Sequence, residues 1–106
     1  VFPLARRLHL PFVAFTCLRW GDLLNPTPDD PAGFAPPPAR EWYRFVLAHP
    51  EVTVALMAPQ TRDELDADVA LLDDWCPPDG ERYASLRAHG DRVRRLDPGR
   101  PMRIGR

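Results

Sequence analysis

The chain has 106 residues, with 14 basic and 15 acidic side chains and a formal net charge of −1. This length suits one small domain and excludes two, and it is less than half of the roughly 250 residues of a complete β/α barrel. The balanced charge excludes a global attraction to nucleic acid or to anionic membranes. Two cysteines, Cys17 and Cys76, are too few for a disulfide scaffold and lack the CxxC spacing of a metal site, so we expect a reducing, cytoplasmic environment.

The first 18 residues combine an apolar pattern with two arginines. The spacing of apolar side chains up to residue 9 predicts the end of an amphipathic helix, which Pro11 terminates. Residues 12–18 are rich in β-favouring side chains and predict a buried strand. A secretory signal is a weak alternative, because polar residues interrupt the run and no small-x-small cleavage site follows it.

A turn and a proline-rich loop follow the first predicted strand. Gly21 indicates a tight turn or a close approach of the backbone to a ligand. Residues 25–38 then contain six of the 14 prolines and show no periodicity. This composition predicts a long, stiff loop that is either a lid or a family insertion.

The centre of the chain, residues 39–75, predicts a helix, a buried strand and a second helix. Four positions of the first helix fall on one face, at i, i+3, i+4 and i+7: Trp42, Phe45, Val46 and His49. The apolar run 52–57 has the length of a strand and predicts a strand that is covered on both faces. Thr61 and Glu64 form a capping box, so the second helix begins there. This order is typical of a parallel α/β sheet.

The last part of the chain predicts one more helix and a basic tail. From Glu81, one helix face is apolar, and it carries Tyr83, Leu86, Val93 and Leu96. Gly90 weakens this helix, and Pro98 ends it. A two-stranded parallel sheet is marginal alone, because such sheets are covered on both faces and paired at their edges. We therefore expect residues 1–98 to be a fragment of a larger α/β structure, and residues 99–106 to be a disordered basic tail.

Three segments, in this order, resemble the C-terminal part of the aldo/keto reductases, in a divergent branch. Residues 13–23, VAFTCLRWGDL, are similar to the family's seventh strand, where an aromatic residue, a Ser or Thr, a Leu and Gly-x-Leu follow an apolar run. Residues 42–52, WYRFVLAHPEV, are similar to the seventh helix that leads into the eighth strand. Residues 56–69 resemble the final strand, the cofactor loop and the eighth helix.

The resemblance implies an α/β fold, a partial TIM (β/α)8 barrel that reduces small carbonyl compounds with NADPH or NADH. This chain would supply the last two parallel strands, their helices and a C-terminal helix. On matching positions Phe15 would stack on the nicotinamide, although core packing is a competing role for it. Thr16, Leu18 and Gly21 would border the pyrophosphate. The adenosine half would be surrounded by Ala58, Pro59, Gln60, Glu64 and Asp68.

The positions around the adenosine half depart from the family pattern. The family usually has Gly near Ala58, a basic residue near Gln60, Gln or Arg at Glu64 and Asn at Asp68. Two carboxylates, with no cation at Gln60, are an unfavourable environment for the negative charge of a 2′-phosphate, although Arg62 offers partial compensation. We therefore expect that NADH is not disfavoured against NADPH, and that Glu64 divides its role between cap and cofactor.

The family's proton transfer uses an Asp, a Tyr, a Lys and a His on earlier strands. Every basic residue of this chain is Arg and none is Lys, so we expect the isolated chain to be catalytically inactive. A hypothesis of a different class stays open: a non-catalytic α/β interaction module, with the Arg-rich C-terminal end as an arm. The spacing of His9, His49 and His89 does not indicate a metal site.

Overall fold

The structure is a computed structural model that describes residues 2–96. Five elements precede the second half of the chain: helix α1 (Phe2–Leu8), strand β1 (Val13–Ala14), a 3₁₀ turn (Asp22–Leu24), helix α2 (Ala39–Leu47) and strand β2 (Val54–Ala55). Helix α3 (Arg62–Val69), a second 3₁₀ turn (Ala70–Leu72) and helix α4 (Gly80–Leu96) follow. The predicted order of helices, strands and proline-rich loop is confirmed for this part of the chain.

The two strands pair in parallel, with Val13 opposite Val54. This pairing confirms the predicted β-α-β order, since α2 lies between the strands in sequence. Each strand has only two residues, so the predicted runs 12–18 and 52–57 were too long. A physical reason is local: after β1, Thr16 adopts φ 58, a left-handed conformation that cannot continue a strand.

One face of this small sheet is bare. Four large apolar side chains project from it, and they are 42 to 65% exposed: Val13, Phe15, Val54 and Leu56. The prediction that 52–57 is covered on both faces is therefore wrong for the described residues. On the opposite face, Phe12 lines an apolar cavity of about 450 Å³ together with Phe2 of α1 and Phe45 of α2.

The buried core lies among the helices. The apolar side chains that are at most 6% exposed come from α1, α2, the second 3₁₀ turn and α4: Ala5, Trp42, Tyr43, Leu71, Leu86 and Val93. The predicted α2 face is only partly correct, because Tyr43 and Arg44 are buried as well as Trp42. Helix α2 is thus enclosed by neighbours on more than one side.

The ends of α3 and α4 differ slightly from expectation. The helix predicted to reach residue 75 ends as α3 at Val69 and continues only as a 3₁₀ turn. Helix α4 runs through Gly90 without interruption, so the predicted weak point does not break it. The predicted end at Pro98 and the basic tail 99–106 lie outside the described residues.

Candidate functional site

At the carboxyl end of β1, an exposed aromatic side chain is followed by a tight turn. Phe15 is 65% exposed on the bare sheet face. Three non-glycine residues of the turn have positive φ: Thr16 at 58°, Arg19 at 51° and Trp20 at 56°. Such conformations cost roughly 1–2 kcal/mol for each residue and cluster at functional sites. The expected strand residue Thr16 is therefore a turn residue.

Leu18 and Gly21 belong to the same turn. The Leu18 carbonyl accepts hydrogen bonds from the backbone N–H groups of Gly21 (3.1 Å) and Leu23 (3.3 Å). Gly21 has φ 90, which favours glycine, and the space beside its α-carbon is open. Of the two predicted roles, the structure thus supports the tight turn.

After the carboxyl end of β2, the loop 58–60 leads into the cap of α3. Thr61 Oγ1 accepts from the Glu64 N–H at 3.1 Å, so the predicted cap is confirmed. The Glu64 carboxylate accepts from the Gln60 N–H at 2.8 Å, one residue earlier than in a standard capping box. Glu64 therefore holds the loop. The Gln60 N–H, which was expected to face a cofactor, is hydrogen-bonded to the Glu64 carboxylate.

Asp68 faces inward from α3. Its exposure is 5%. Burial and then the charge of Glu64, one helical turn away, raise the pKa of Asp68. Burial and then the charge of Asp68 also raise the pKa of Tyr43 on α2. Asp68 thus contacts the protein interior, whereas Ala58 and Gln60 are exposed.

The parallel pairing brings the two strand ends together. The Leu56 N–H donates to the Ala14 carbonyl at 2.9 Å, so Phe15 and Leu56 lie side by side at the end of the sheet. Phe15, the turn after it and the loop 58–60 therefore share one edge, as the parallel arrangement requires. Carboxyl ends of parallel strands are the common location of ligand sites in α/β proteins.

This edge of the sheet combines an exposed aromatic ring with an acidic helix start. An exposed aromatic ring suits stacking on a planar heterocycle. The first turn of α3 carries Asp63 and Glu64, whose charges already complement the helix N-terminus. Carboxylates accept hydrogen bonds from ribose hydroxyls but repel a 2′-phosphate. Arg62 is engaged with Asp66 at 3.3 Å, which limits the compensation expected of it.

A second polar cluster was not predicted from the sequence. Asp30, in the proline-rich loop, accepts from the Thr27 N–H (2.8 Å), the Thr27 hydroxyl (2.6 Å) and Arg92 Nε (2.7 Å). His89 Nδ1 lies 3.4 Å from the same carboxylate, and His89 Nε2 lies 3.1 Å from the Leu23 carbonyl. The cluster ties the loop to α4. The signal in the sequence that could have indicated this cluster is the spacing of Leu86, His89 and Val93, which places them on one face of α4.

The same cluster has no metal-like arrangement. Within residues 2–96, no group of three or more His, Cys, Asp or Glu side chains could hold a metal ion. Arg92 lies over the Phe34 ring, 5.0 Å from its centre, and His89 is fully buried. These contacts make the cluster an anchor for the loop.

Comparison of the chain with protein families, with curated proteins and with solved structures gives no match. Among the described residues, the helices are each too short or too polar to cross a lipid bilayer.

Proposed function

We propose that this chain binds a nicotinamide dinucleotide across the carboxyl ends of β1 and β2, as part of a larger barrel of the aldo/keto reductase type. The observation that carries the proposal is the position of Phe15. It is exposed on the helix-free face of a parallel strand pair, beside the loop 58–60. In a β/α barrel the helix-free face is the interior, and ligands bind at the carboxyl ends of the strands.

The open sheet supports the larger barrel. Parallel sheets bury both faces, yet Val13 and Val54 are 49% and 42% exposed here. Neighbouring strands would cover these side chains and pair with the outer edges of β1 and β2. In that setting the chain supplies cofactor contacts, and the proton-transfer residues come from other strands.

In this proposal NADH is not disfavoured against NADPH, because the start of α3 is acidic. Glu64 accepts from Gln60 and remains an acceptor for a ribose hydroxyl, since a carboxylate has several lone pairs. A 2′-phosphate at the same place would meet Asp63 and Glu64 as like charges. Carbonyl reduction requires a general acid, which in this family is paired with a lysine. This chain contains no lysine, so it does not supply that pair.

Calorimetric titration of the 106-residue chain with NADH, and separately with NADPH, tests the proposal. We expect saturable NADH binding that is at least as tight as NADPH binding, and no turnover of a simple aldehyde. Phe15→Ala should weaken NADH binding about three- to tenfold, the loss of one aromatic stack. Leu72→Ala is the matched control, because Leu72 is 67% exposed outside this edge. Absence of NADH binding, or equal affinity of Phe15→Ala and the parent chain, would contradict the proposal.

A second candidate function is a non-catalytic α/β interaction module. The bare apolar face of the sheet favours it, because contiguous exposed apolar surface is typical of a contact with another protein. The Arg-rich arm of this hypothesis lies largely outside the described residues. The two candidates differ in the titration above, since an interaction module binds neither cofactor.

A further inference from the structure

The apolar cavity of about 450 Å³ lies on the helix-covered side of the sheet, away from the proposed cofactor edge. Ala14 of β1 lines it, whereas its neighbours Val13 and Phe15 project from the bare face, as side chains alternate along a strand. Side chains of α1, α2, α4 and the turn after α2 complete the lining. Because elements distant in sequence enclose it, this cavity is a concave pocket, and its volume lies in the range of roughly 300–1,000 Å³ typical of ligand sites.

Aromatic rings form most of the cavity wall. The Phe2 ring stacks on the His49 ring, with centroids 3.8 Å apart and planes at 27°. Phe12 packs against Phe2 at 4.9 Å. Phe45 of α2 stacks on Tyr83 of α4, with centroids 4.9 Å apart and planes at 22°. All five rings line the cavity, and such surfaces favour offset stacking or edge contacts with a further ring.

The lining is uncharged. Among the described residues that line the cavity there is no Asp, Glu, Lys or Arg, and polar side-chain atoms come from His49 and Tyr83. The Glu51 N–H donates to His49 Nδ1 at 3.2 Å, so in this arrangement the imidazole carries its hydrogen on Nε2 and is neutral. An ionised ligand would lose hydration here without gaining an opposite charge. The cavity therefore suits an uncharged molecule.

Polar contacts outside the apolar lining hold the walls in place. Arg6 of α1 forms an ion pair with Glu51, which follows the turn after α2. The Thr53 N–H donates to the Phe12 carbonyl at 2.8 Å. The cavity is thus preformed, and a ligand needs little ordering of the chain in order to bind. Tyr83 is 41% exposed, so the cavity reaches the surface beside α4.

We infer that this cavity binds a small, uncharged, planar aromatic molecule of two or three fused rings. Its volume is about three times the roughly 150 Å³ of a protein cavity that accommodates benzene. The site is separate from the proposed cofactor site, because a dinucleotide is anionic and the lining offers no cation. The inference therefore does not depend on the proposed function.

Titration of the 106-residue chain with 2-naphthol at about pH 7, followed by methyl NMR, tests the inference. We expect saturable shifts at Val46 and Val52, which line the cavity, with a dissociation constant of about 1 mM or tighter, and little change at Leu56 on the bare face. Decahydro-2-naphthol, the saturated counterpart, should bind about two- to tenfold more weakly because it lacks the aromatic stack. The charged 2-naphthoate should bind about tenfold more weakly or not at all.

A cavity-filling variant and its control test the location independently. Ala48 lines the cavity, so Ala48→Trp should fill part of it and weaken 2-naphthol binding about tenfold or more. Ala88→Trp is the matched control, since Ala88 is exposed on α4 outside the lining, and it should bind as the parent does. The amide spectrum verifies that each variant is folded. If Ala48→Trp does not fold, the position of the shifts in the parent chain decides.

Four results would overturn the inference. They are the absence of saturable shifts at Val46 and Val52, shifts of equal size at Leu56, parental affinity of folded Ala48→Trp, and equal affinities for the three probes. Shifts at Val46 and Val52 that follow protein concentration without any probe would show that a second copy of the chain occupies the cavity, and would also overturn it. NADH binding is measured separately, so failure of either idea leaves the other standing.

Discussion

His89 Nδ1 on α4 lies 3.4 Å from Asp30 Oδ1 in the proline-rich loop, and the imidazole is fully buried. The same carboxylate accepts from Thr27 and from Arg92, so one acidic side chain organises the contact between loop and helix. Both ring nitrogens of His89 face oxygen atoms, which are those of Asp30 and of the Leu23 carbonyl. The loop is therefore a fixed part of the fold.

The Asp30 anchor predicts a pH dependence of stability. Burial alone would raise the pKa of Asp30, but hydrogen bonds from Thr27 and Arg92 reverse this and hold it well below its usual range. A carboxyl with a lowered folded pKa adds stability above its unfolded pKa of about 3.9, and this stability is lost as the pH falls through the folded value. Asp30→Asn should therefore lower the urea midpoint at pH 6, with a smaller effect below about pH 4.

The matched control for that series is Asp29→Asn, since Asp29 is the exposed neighbour of Asp30. Urea denaturation between pH 2 and pH 7 should show little change for Asp29→Asn. A difference between Asp30→Asn and the parent that stays constant over this range would show that the charge of Asp30 is unimportant.

Arg44 is a buried cation that joins α2 to the segment after the second 3₁₀ turn. Its Nη1 donates to the carbonyls of Asp74 (3.2 Å) and Cys76 (3.1 Å). Burial alone would lower the pKa of Arg44, but the hydrogen bond to Asp74 and the charges of Glu41 and Asp74 raise it above its usual value. The side chain therefore stays charged. Arg44→Met should lower the free energy of unfolding by about 2–3 kcal/mol, because two carbonyls lose their donor.

Chemical denaturation measures this loss, with Arg40→Met as the control on the same helix. The Arg40 side chain is 48% exposed and reaches only Glu41, at 3.7 Å, so its removal should cost under about 0.5 kcal/mol. Equal effects of the two substitutions would refute a special role for Arg44.

The bare sheet face predicts self-association of the isolated chain. Leu56 is 53% exposed at the end of β2, beside the unpaired edge of the sheet. An exposed apolar edge strand promotes contacts between chains, and a lysine on it opposes them. Leu56→Lys should shift the chain toward monomer in light scattering, whereas Leu72→Lys, 67% exposed elsewhere, should not. A monodisperse parent monomer would contradict the prediction.

The two thiols should differ in reactivity. Burial raises the pKa of Cys17, so less of it is thiolate at neutral pH, whereas Cys76 is exposed. Cys76→Ser, which retains only Cys17, should react several-fold more slowly with a disulfide reagent at pH 8 than Cys17→Ser does. The rate of Cys17 should also continue to increase above pH 9. Equal rates in the native state would show that Cys17 is accessible.

Local features were predicted well from the sequence. The helices, the cap at Thr61 and the turn at Gly21 depend on the chemistry of a few neighbouring residues, and the structure contains them. The parallel pairing was also predicted, because a helix separates two apolar runs. The exposure of the strands was missed, since it depends on which elements cover them.

The remaining features depend on contacts between residues far apart in the chain. The pairing of Asp30 with His89 leaves no periodic trace in the sequence. For the candidate site, the structure brings Phe15 and the loop 58–60 to one edge, and it turns Asp68 inward. The cofactor roles of these residues stay predictions.

The pairing of β1 with β2 also bears on the order of folding. Phe12 and Thr53, which are hydrogen-bonded beside the sheet, lie 41 residues apart in sequence. Closing so long a loop costs conformational entropy, and the only compensation from the sheet is the pairing of two residues on each strand. Helices α3 and α4 form through local contacts and can precede it. The strand ends are therefore expected to assemble last and to open first in native-state hydrogen exchange.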